Sequence, residues 1–236
     1  MDNTRREVGE TIKEFGRPNA RYADRADAGR ALAAYLGKYK NHDVLVLGIP
    51  RGGVPVAAEV ARALQADLDV IVARKLGAPG QPELAIGAVT SNGGRFFNDE
   101  TIEALGVTDE YLEHIAAVEM DEAHRRERMF RNGREPERIE GRVVIIVDDG
   151  LATGATMRAS VRSVRRRNPA RLVVAVPVGS REACADLRNE ADEVLCAYEP
   201  ALFLAVGLHY ERFCPTLDNE VMAILQQYVK TPAAAG

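Results

Sequence analysis

The chain has 236 residues, enough for one α/β domain with a sizeable core, and its 46% apolar and 28% charged residues exclude an intrinsically disordered polypeptide. A formal net charge of −4 gives no general attraction for nucleic acid or a membrane surface, and no run reaches the ~18 apolar residues of a membrane span. The start, Met-Asp-Asn-Thr-Arg-Arg-Glu, lacks the apolar core of a signal peptide, so a cytoplasmic protein is expected.

Residues 1–20 are polar, contain Gly16 and Pro18, and read as a lead-in. Over 26–39 the positions of Leu32, Tyr35, Leu36 and Tyr39 predict a helix, with Asp24, Arg25, Asp27 and Arg30 as its solvated start. Residues 44–49 are a buried strand that breaks at Gly48-Ile49-Pro50-Arg51-Gly52-Gly53, and 54–64 resume as a helix. Glycines between a strand and a helix form an anion nest, because backbone N–H groups reach the ligand without side-chain obstruction. Arg51 adds positive charge there.

A second strand is expected over 69–73, ending in Arg74-Lys75. Between 76 and 95, Gly77, Pro79, Gly80, Pro82, Gly87, Gly93 and Gly94 break any long regular element and suit a lid that contains Glu83, a candidate proton carrier. Residues 85–89 and 95–97 fit a hairpin across Asn92-Gly93. From 99 to 140 the pattern turns helical, capped at Thr108 or Asp109, with Tyr111, Leu112, Ile115 and Val118 as its apolar face. The pairs Asp121/Arg125, Glu122/Arg126 and Glu127/Arg131 predict a solvated, salt-bridged helix, with a basic patch of His124, Arg125, Arg126 and Arg128 as the alternative.

Residues 143–156 read Val-Val-Ile-Ile-Val-Asp-Asp-Gly-Leu-Ala-Thr-Gly-Ala-Thr. The β-branched run makes a strand buried on both faces. Asp148 and Asp149 end it, and small or hydroxyl-bearing residues lead into a helix over 156–167, whose N-terminus favours an anion. The arginines at 162, 165, 166 and 167 sit at the other end of that helix, where positive charge is favoured. A strand over 172–178, a helix over 181–190 and a short strand over 193–197 complete the alternation, which predicts a mostly parallel, doubly wound α/β sheet. Ligands then belong at the carboxyl ends of the strands. Residues 198–218 are irregular and aromatic, 219–229 read as a last helix, and Thr-Pro-Ala-Ala-Ala-Gly as a frayed tail.

Cys184, Cys196 and Cys214 show no close metal-ligand spacing and are expected as buried reduced thiols. His42, His114, His124 and His209 form no metal cluster in the sequence.

The stretch 147–156 resembles the phosphoribosyl-pyrophosphate (PRPP) binding motif of type I phosphoribosyltransferases, most of all its adenine form. The resemblance implies a single domain over 1–236 with a flexible lid or hairpin at 76–98, a helical insertion at 99–140 and a C-terminal hood at 198–218 over the base. It implies that Asp148 and Asp149 hold the ribose hydroxyls and that Ala152, Thr153, Gly154, Ala155 and Thr156 wrap the 5-phosphate. Pro50, Arg51, Gly52 and Gly53 resemble the pyrophosphate loop, with a cis peptide expected between Pro50 and Arg51. Arg74 and Lys75 resemble the start of the family's catalytic loop, and Phe203, His209 and Tyr210 fall in the hood.

The implied activity is that of a Mg²⁺-dependent pentosyltransferase moving the phosphoribosyl group between PRPP and a nucleobase-like molecule in salvage, with Mg²⁺ carried by PRPP and no direct protein ligand. A PRPP-binding regulator without turnover is the alternative, and a third class is a nucleotide-binding or hydrolytic α/β protein. Membrane and nucleic-acid partners are not expected, and a homo-oligomer is compatible with the insertion. His209 stands where hypoxanthine-guanine enzymes carry Asp, and Ala152 where 6-oxopurine enzymes carry the Asp that assists the base. The first departure puts in doubt a metal contact from that segment, and the second weakens a hypoxanthine or guanine acceptor without naming another.

Overall fold

The computed structural model describes residues 22–228, so the expected lead-in and tail lie outside the described residues. In chain order the elements are α1 (Arg25–Tyr35), β1 (Val44–Gly48), α2 (Gly53–Leu64), β2 (Asp67–Val70), β3 (Ala73–Ala78), β4 (Gln81–Thr90) and β5 (Arg95–Phe97). There follow α3 (Asp99–Leu105), α4 (Asp109–Arg131), β6 (Val143–Val147), α5 (Ala155–Arg165), β7 (Arg171–Val176), α6 (Arg181–Leu187), β8 (Glu193–Cys196) and α7 (Asp218–Gln226).

Five strands form one parallel sheet in the order β2-β1-β6-β7-β8. Strands β1 and β6 carry no polar side chain, so both faces must be covered. Val46, Ile145 and Val147 pack on the α1 and α2 side with Leu32 and Val54. Leu45, Val144 and Ile146 pack on the other side with Met157, Val161 and Leu187 of α5 and α6. From β1 the chain moves to one edge of the sheet and from β6 to the other. The crevice of an open α/β sheet lies at this reversal, outside the carboxyl ends of β1 and β6.

The expected strand over 69–73 divides. Strand β2 stops at Val70, and Ala73 begins a separate antiparallel sheet of order β3-β4-β5, so Arg74 and Lys75 belong to the second sheet. The expected hairpin forms, with Ala88 opposite Phe96 and Val89 opposite Arg95. The expected irregularity gives way to an antiparallel strand pair over 73–78 and 81–90, with register shifts on either side of Gly77 and a turn at 79–80 with Gly80 at φ +69°. Gly77 and Gly87 do not break it, because they mark places where a neighbouring backbone comes close, and a Cβ on Gly77 would stand 2.7 Å from Pro82 O. One face of this sheet packs Leu76, Ile86 and Val89 on Leu112 and Ala116 of α4. The other packs Ala88 on Ala155 and Ala159 of α5.

Helix α4 is capped by Thr108, whose hydroxyl accepts from Tyr111 N. Tyr111, Leu112 and Ile115 of its expected apolar face are packed, whereas Val118 is exposed. The expected solvated helix holds only for one side. Arg125 and Arg126 both bond Glu122 near the surface, but Glu127 and Arg131 are buried together with Asp69. Arg131 Nε lies 2.9 Å from Asp69 Oδ1, its Nη1 2.9 Å from Glu127 Oε2 and its Nη2 2.9 Å from Val70 O. Among the described residues no helix is long and apolar enough to cross a membrane.

Candidate active site

Two loops meet at the carboxyl ends of β1 and β6. In the first, Gly53 N donates to Ile49 O at 3.0 Å, and the Pro50–Arg51 peptide is cis, as the sequence led us to expect. A Cβ on Gly52 would collide with the Asp149 carboxylate, and one on Gly53 would stand 2.7 Å from Val147 O and 3.0 Å from Asp148 Oδ1. The glycine pair is what lets this loop lie against the two acids. Arg51 reaches outward, its Nη1 3.6 Å from Asp218 Oδ1 with both side chains well exposed.

The acids are differently held. Asp148 Oδ1 accepts from Asp149 N at 2.8 Å. Asp149 Oδ2 accepts from Arg25 Nε at 2.7 Å, and Arg25 Nη1 donates to Cys214 O at 2.7 Å. The Arg25 guanidinium also lies 4.0 Å from the centroid of the Phe213 ring. Burial, and then the charge of Asp149, push the Asp148 carboxyl well above its ordinary value, with Arg25 and Lys75 opposing. Burial also raises Asp149, against the pull of Arg25. The site thus concentrates negative charge at a partly desolvated point beside cations.

Arg25 was expected in a solvated helix start and is instead a component of the site. Its sequence signal is weak: it occupies the first position of α1, where the helix dipole disfavours a cation, so another partner has to hold it.

The rest of the loop after β6 is fixed from below. Leu151 N donates to Val178 O, Ser180 N to Leu151 O, and Ser180 Oγ to Ala152 O at 2.7 Å. Gly154, at φ +78°, turns the chain into α5. No side chain caps α5 and its first turn holds no acid, so its leading N–H groups are available to an anion. Ala152 and Thr153 are exposed, Thr156 is half-buried, and Gly154 and Ala155 are buried.

Strand alternation separates the two cations of the second sheet. Arg74 shares a face with Leu76 and turns to α4, where its Nε lies 2.7 Å from Glu119 Oε2. Lys75 is paired with Ala88, on the face that packs on α5, and its charge acts on Asp148. Of the expected pair, Lys75 is the one on the α5 side of the sheet. Glu83 is exposed on the outer part of β4.

In the hood, the Phe203 and His209 rings stack with centroids 5.9 Å apart, and Tyr198 meets His209 edge-on at 5.6 Å. Tyr210 is buried and donates from its hydroxyl to Asp149 O at 2.5 Å, so it supports the acids from beneath. Burial drives its phenol far above the ordinary range. The segment is tied to the start of α1 through Tyr22 N to His209 O and Glu211 N to Tyr22 O, both 2.8 Å. Val206 packs over Gly150, where a Cβ would come within 2.5 Å of it.

With Asp149 committed to Arg25 and Asp148 bonded to a backbone N–H, the oxygen donors here suit a hard cation carried in by a phosphate ligand better than one caged by side chains. Elsewhere, Cys184, Cys196 and Glu199 bring ligand atoms within 4.8 Å of one another, a proximity invisible in their spacing. Cys184 is buried, Cys196 half-buried, and Cys214 exposed, contrary to the expectation of three buried thiols.

The chain thus combines a parallel α/β sheet with paired acids and an uncapped helix N-terminus at its topological reversal. The model of the phosphoribosyl transferase domain matches residues 21–202, and the chain belongs to that family. Two proteins from two strains of Mycobacterium tuberculosis, each named provisionally as a phosphoribosyl transferase, are 45% identical over 215 residues, covering 91% of this chain and 48% of theirs. The chain spans about half the length of these curated relatives. The crystal structure of TT1426 from Thermus thermophilus is similar with a TM-score of 0.76 and 43% identity, covering 89% of this chain and all of that one.

Proposed function

We propose that the protein transfers a 5-phosphoribosyl group between PRPP and a nitrogenous base, with release of pyrophosphate, in nucleobase salvage. The observation that carries this reading is the meeting of Asp148 and Asp149 with the Gly52-Gly53 loop on one side and the uncapped N-terminus of α5 on the other. An acid pair for a sugar diol, a dipole for a monophosphate and a glycine nest for a second anion match the three parts of PRPP.

Breaking the C1–O bond of PRPP develops positive charge on the ribose and negative charge on pyrophosphate, so groups placed for those charges stabilise the transition state more than the ground state. Asp148 and Asp149 orient the ribose hydroxyls and sit near the developing cation. Lys75, Arg51 and the N–H of Gly52 take the leaving group, while the Gly53 N–H, bonded to Ile49 O, holds the loop in shape. The N-terminus of α5, with Thr153 and Thr156, takes the 5-phosphate. Mg²⁺ carried in on PRPP would supply charge neutralisation for the pyrophosphate, beside Lys75 and Arg51. The base side is assigned to the hood, at the Phe203/His209 pair, and Ala152 leaves the acceptor without an acid at that position.

A panel of purine and pyrimidine bases, each assayed with PRPP and Mg²⁺ for pyrophosphate release, tests the proposal. Release on at least one base, abolished by Asp148→Asn with Asp149→Asn, supports it. Saturable PRPP binding by calorimetry with no release on any base overturns the enzymatic reading in favour of a PRPP-binding regulator, and no PRPP binding overturns both.

A further inference from the structure

A second cavity of about 470 Å³ lies away from the acids, between the C-terminal part of α4, the loop at 133–136 and the residues just after α5. It is within the size range of small-molecule sites. His124, Arg128 and Arg131 line it from one face of α4, at positions three and four residues apart. Arg134 and Arg167 close on it from the other sides, and Asn92 from the turn between β4 and β5.

The fate of each charge decides what remains for a ligand. Arg131 and Glu127 are consumed by each other, by Asp69 and by backbone groups. Glu135 is exposed at the rim. Of the arginine run at the end of α5, Arg162 binds Glu190, Arg165 binds Asp192 and Arg166 binds Gly93 O. Arg167 alone of the run turns into the cavity, with one long bond of 3.4 Å to Glu137 O. Burial and the charge of Arg131 press on its guanidinium and lower its pKa. Arg134 Nη2 is buried with no hydrogen-bond partner among the described residues. A buried guanidinium N–H without an acceptor is costly and calls for one. The helix that carries the phosphate cradle at its N-terminus thus presents Arg167 at the far end, about 16 Å along its axis.

We infer that this pocket is a second anion site, in which Arg128, Arg134 and Arg167 hold a phosphate-bearing small molecule, separate from the site at Asp148 and Asp149. Guanidinium forks match phosphate oxygens in geometry as well as charge, and three of them converging exceed what the remaining acid at the rim neutralises.

Calorimetric titration of the full chain with ATP and, separately, with inorganic pyrophosphate tests this, because either probe also has the first site available and the count of equivalents separates the two. The wild type is expected to bind at least one equivalent more than the Arg128→Gln/Arg134→Gln/Arg167→Gln variant. Arg134→Gln alone is expected to weaken that extra equivalent at least threefold, and this variant decides the matter if the triple one fails to fold. Asp148→Asn with Asp149→Asn should leave the extra equivalent in place. An extra site tighter for ATP assigns a nucleotide, equal affinities assign the polyphosphate group alone, and both support the inference. Equal stoichiometry and affinity in wild type and variants overturns it, as does the absence of binding of either probe.

Discussion

Arg25 Nε donates to Asp149 Oδ2 at 2.7 Å, joining the first turn of α1 to the end of β6 with side chains only 12% and 15% exposed. Removing the cation leaves a largely buried carboxylate without its partner, a change that costs about 1–3 kcal/mol. Arg25→Gln is therefore expected to lower thermal stability by that amount at neutral pH and to weaken PRPP binding about tenfold, equivalent to about 1.4 kcal/mol. Thermal unfolding and calorimetry read the two effects. Unchanged PRPP affinity would show that Asp149 is oriented without Arg25.

Asp148 makes the opposite prediction for stability. Its folded-state pKa is raised, chiefly by burial and by Asp149, so between the ordinary aspartate value and that raised value the folded chain binds more protons than the unfolded chain. Stability falls as pH rises through this window. Asp148→Asn, which retains an oxygen for the Asp149 N–H, should raise neutral-pH stability by on the order of 1 kcal/mol while abolishing PRPP binding. It should also flatten the decline of stability with pH. A variant less stable than wild type at pH 7 counts against the raised carboxyl.

These two residues show what the sequence made legible and what it did not. The β-branched run, its acids and the small-residue loop are contiguous, so β6, the cradle and the start of α5 could be read directly. Arg25 lies far from Asp149 along the chain, and only folding brings them together. Glu127 and Arg131 showed the right helical spacing, but spacing cannot tell a solvated pair from one buried on Asp69. Gly77 and Gly87 read as breakers because sequence shows their freedom and hides the neighbouring strand that requires it. Once the strand boundary shifted from 69–73 to a break at 71–72, Arg74 and Lys75 fell on opposite faces.

That separation is testable by paired substitutions. Lys75→Ala is expected to weaken PRPP or pyrophosphate binding about tenfold, since it removes a cation acting at Asp148. Arg74→Ala should leave the affinity within about twofold and cost about 0.2–1 kcal/mol of stability through its partly exposed pair with Glu119. Equal losses of affinity would mean that the second sheet turns or shifts when ligand binds.

The buried triad of Asp69, Glu127 and Arg131 joins α4 to the end of β2. Arg131→Met leaves two carboxylates buried without a cation and is expected to cost about 3–5 kcal/mol in urea unfolding. Arg125→Ala, six residues earlier on the solvated side, should change stability by less than about 0.5 kcal/mol. A small effect of Arg131→Met would show that water enters the triad.

Gly52 tests the contact between the loop and the acids most directly, because its φ of −62° and ψ of −33° are open to any residue. At such a position Gly→Ala ordinarily stabilises by about 0.4–1 kcal/mol, through the unfolded chain. Here the added methyl would collide with the Asp149 carboxylate, so Gly52→Ala alone is expected to destabilise and to abolish PRPP binding. In an Asp149→Ala background only Arg25 Nε, 3.1 Å from the added methyl and at the end of a flexible side chain, remains close, and the same substitution should become nearly neutral. Comparing the four proteins by thermal unfolding gives the coupling between the two positions, expected between about 0.5 and 3 kcal/mol. Additive effects would place Gly52 and Asp149 apart and dissolve the closed junction of loop and acids on which the proposed site depends.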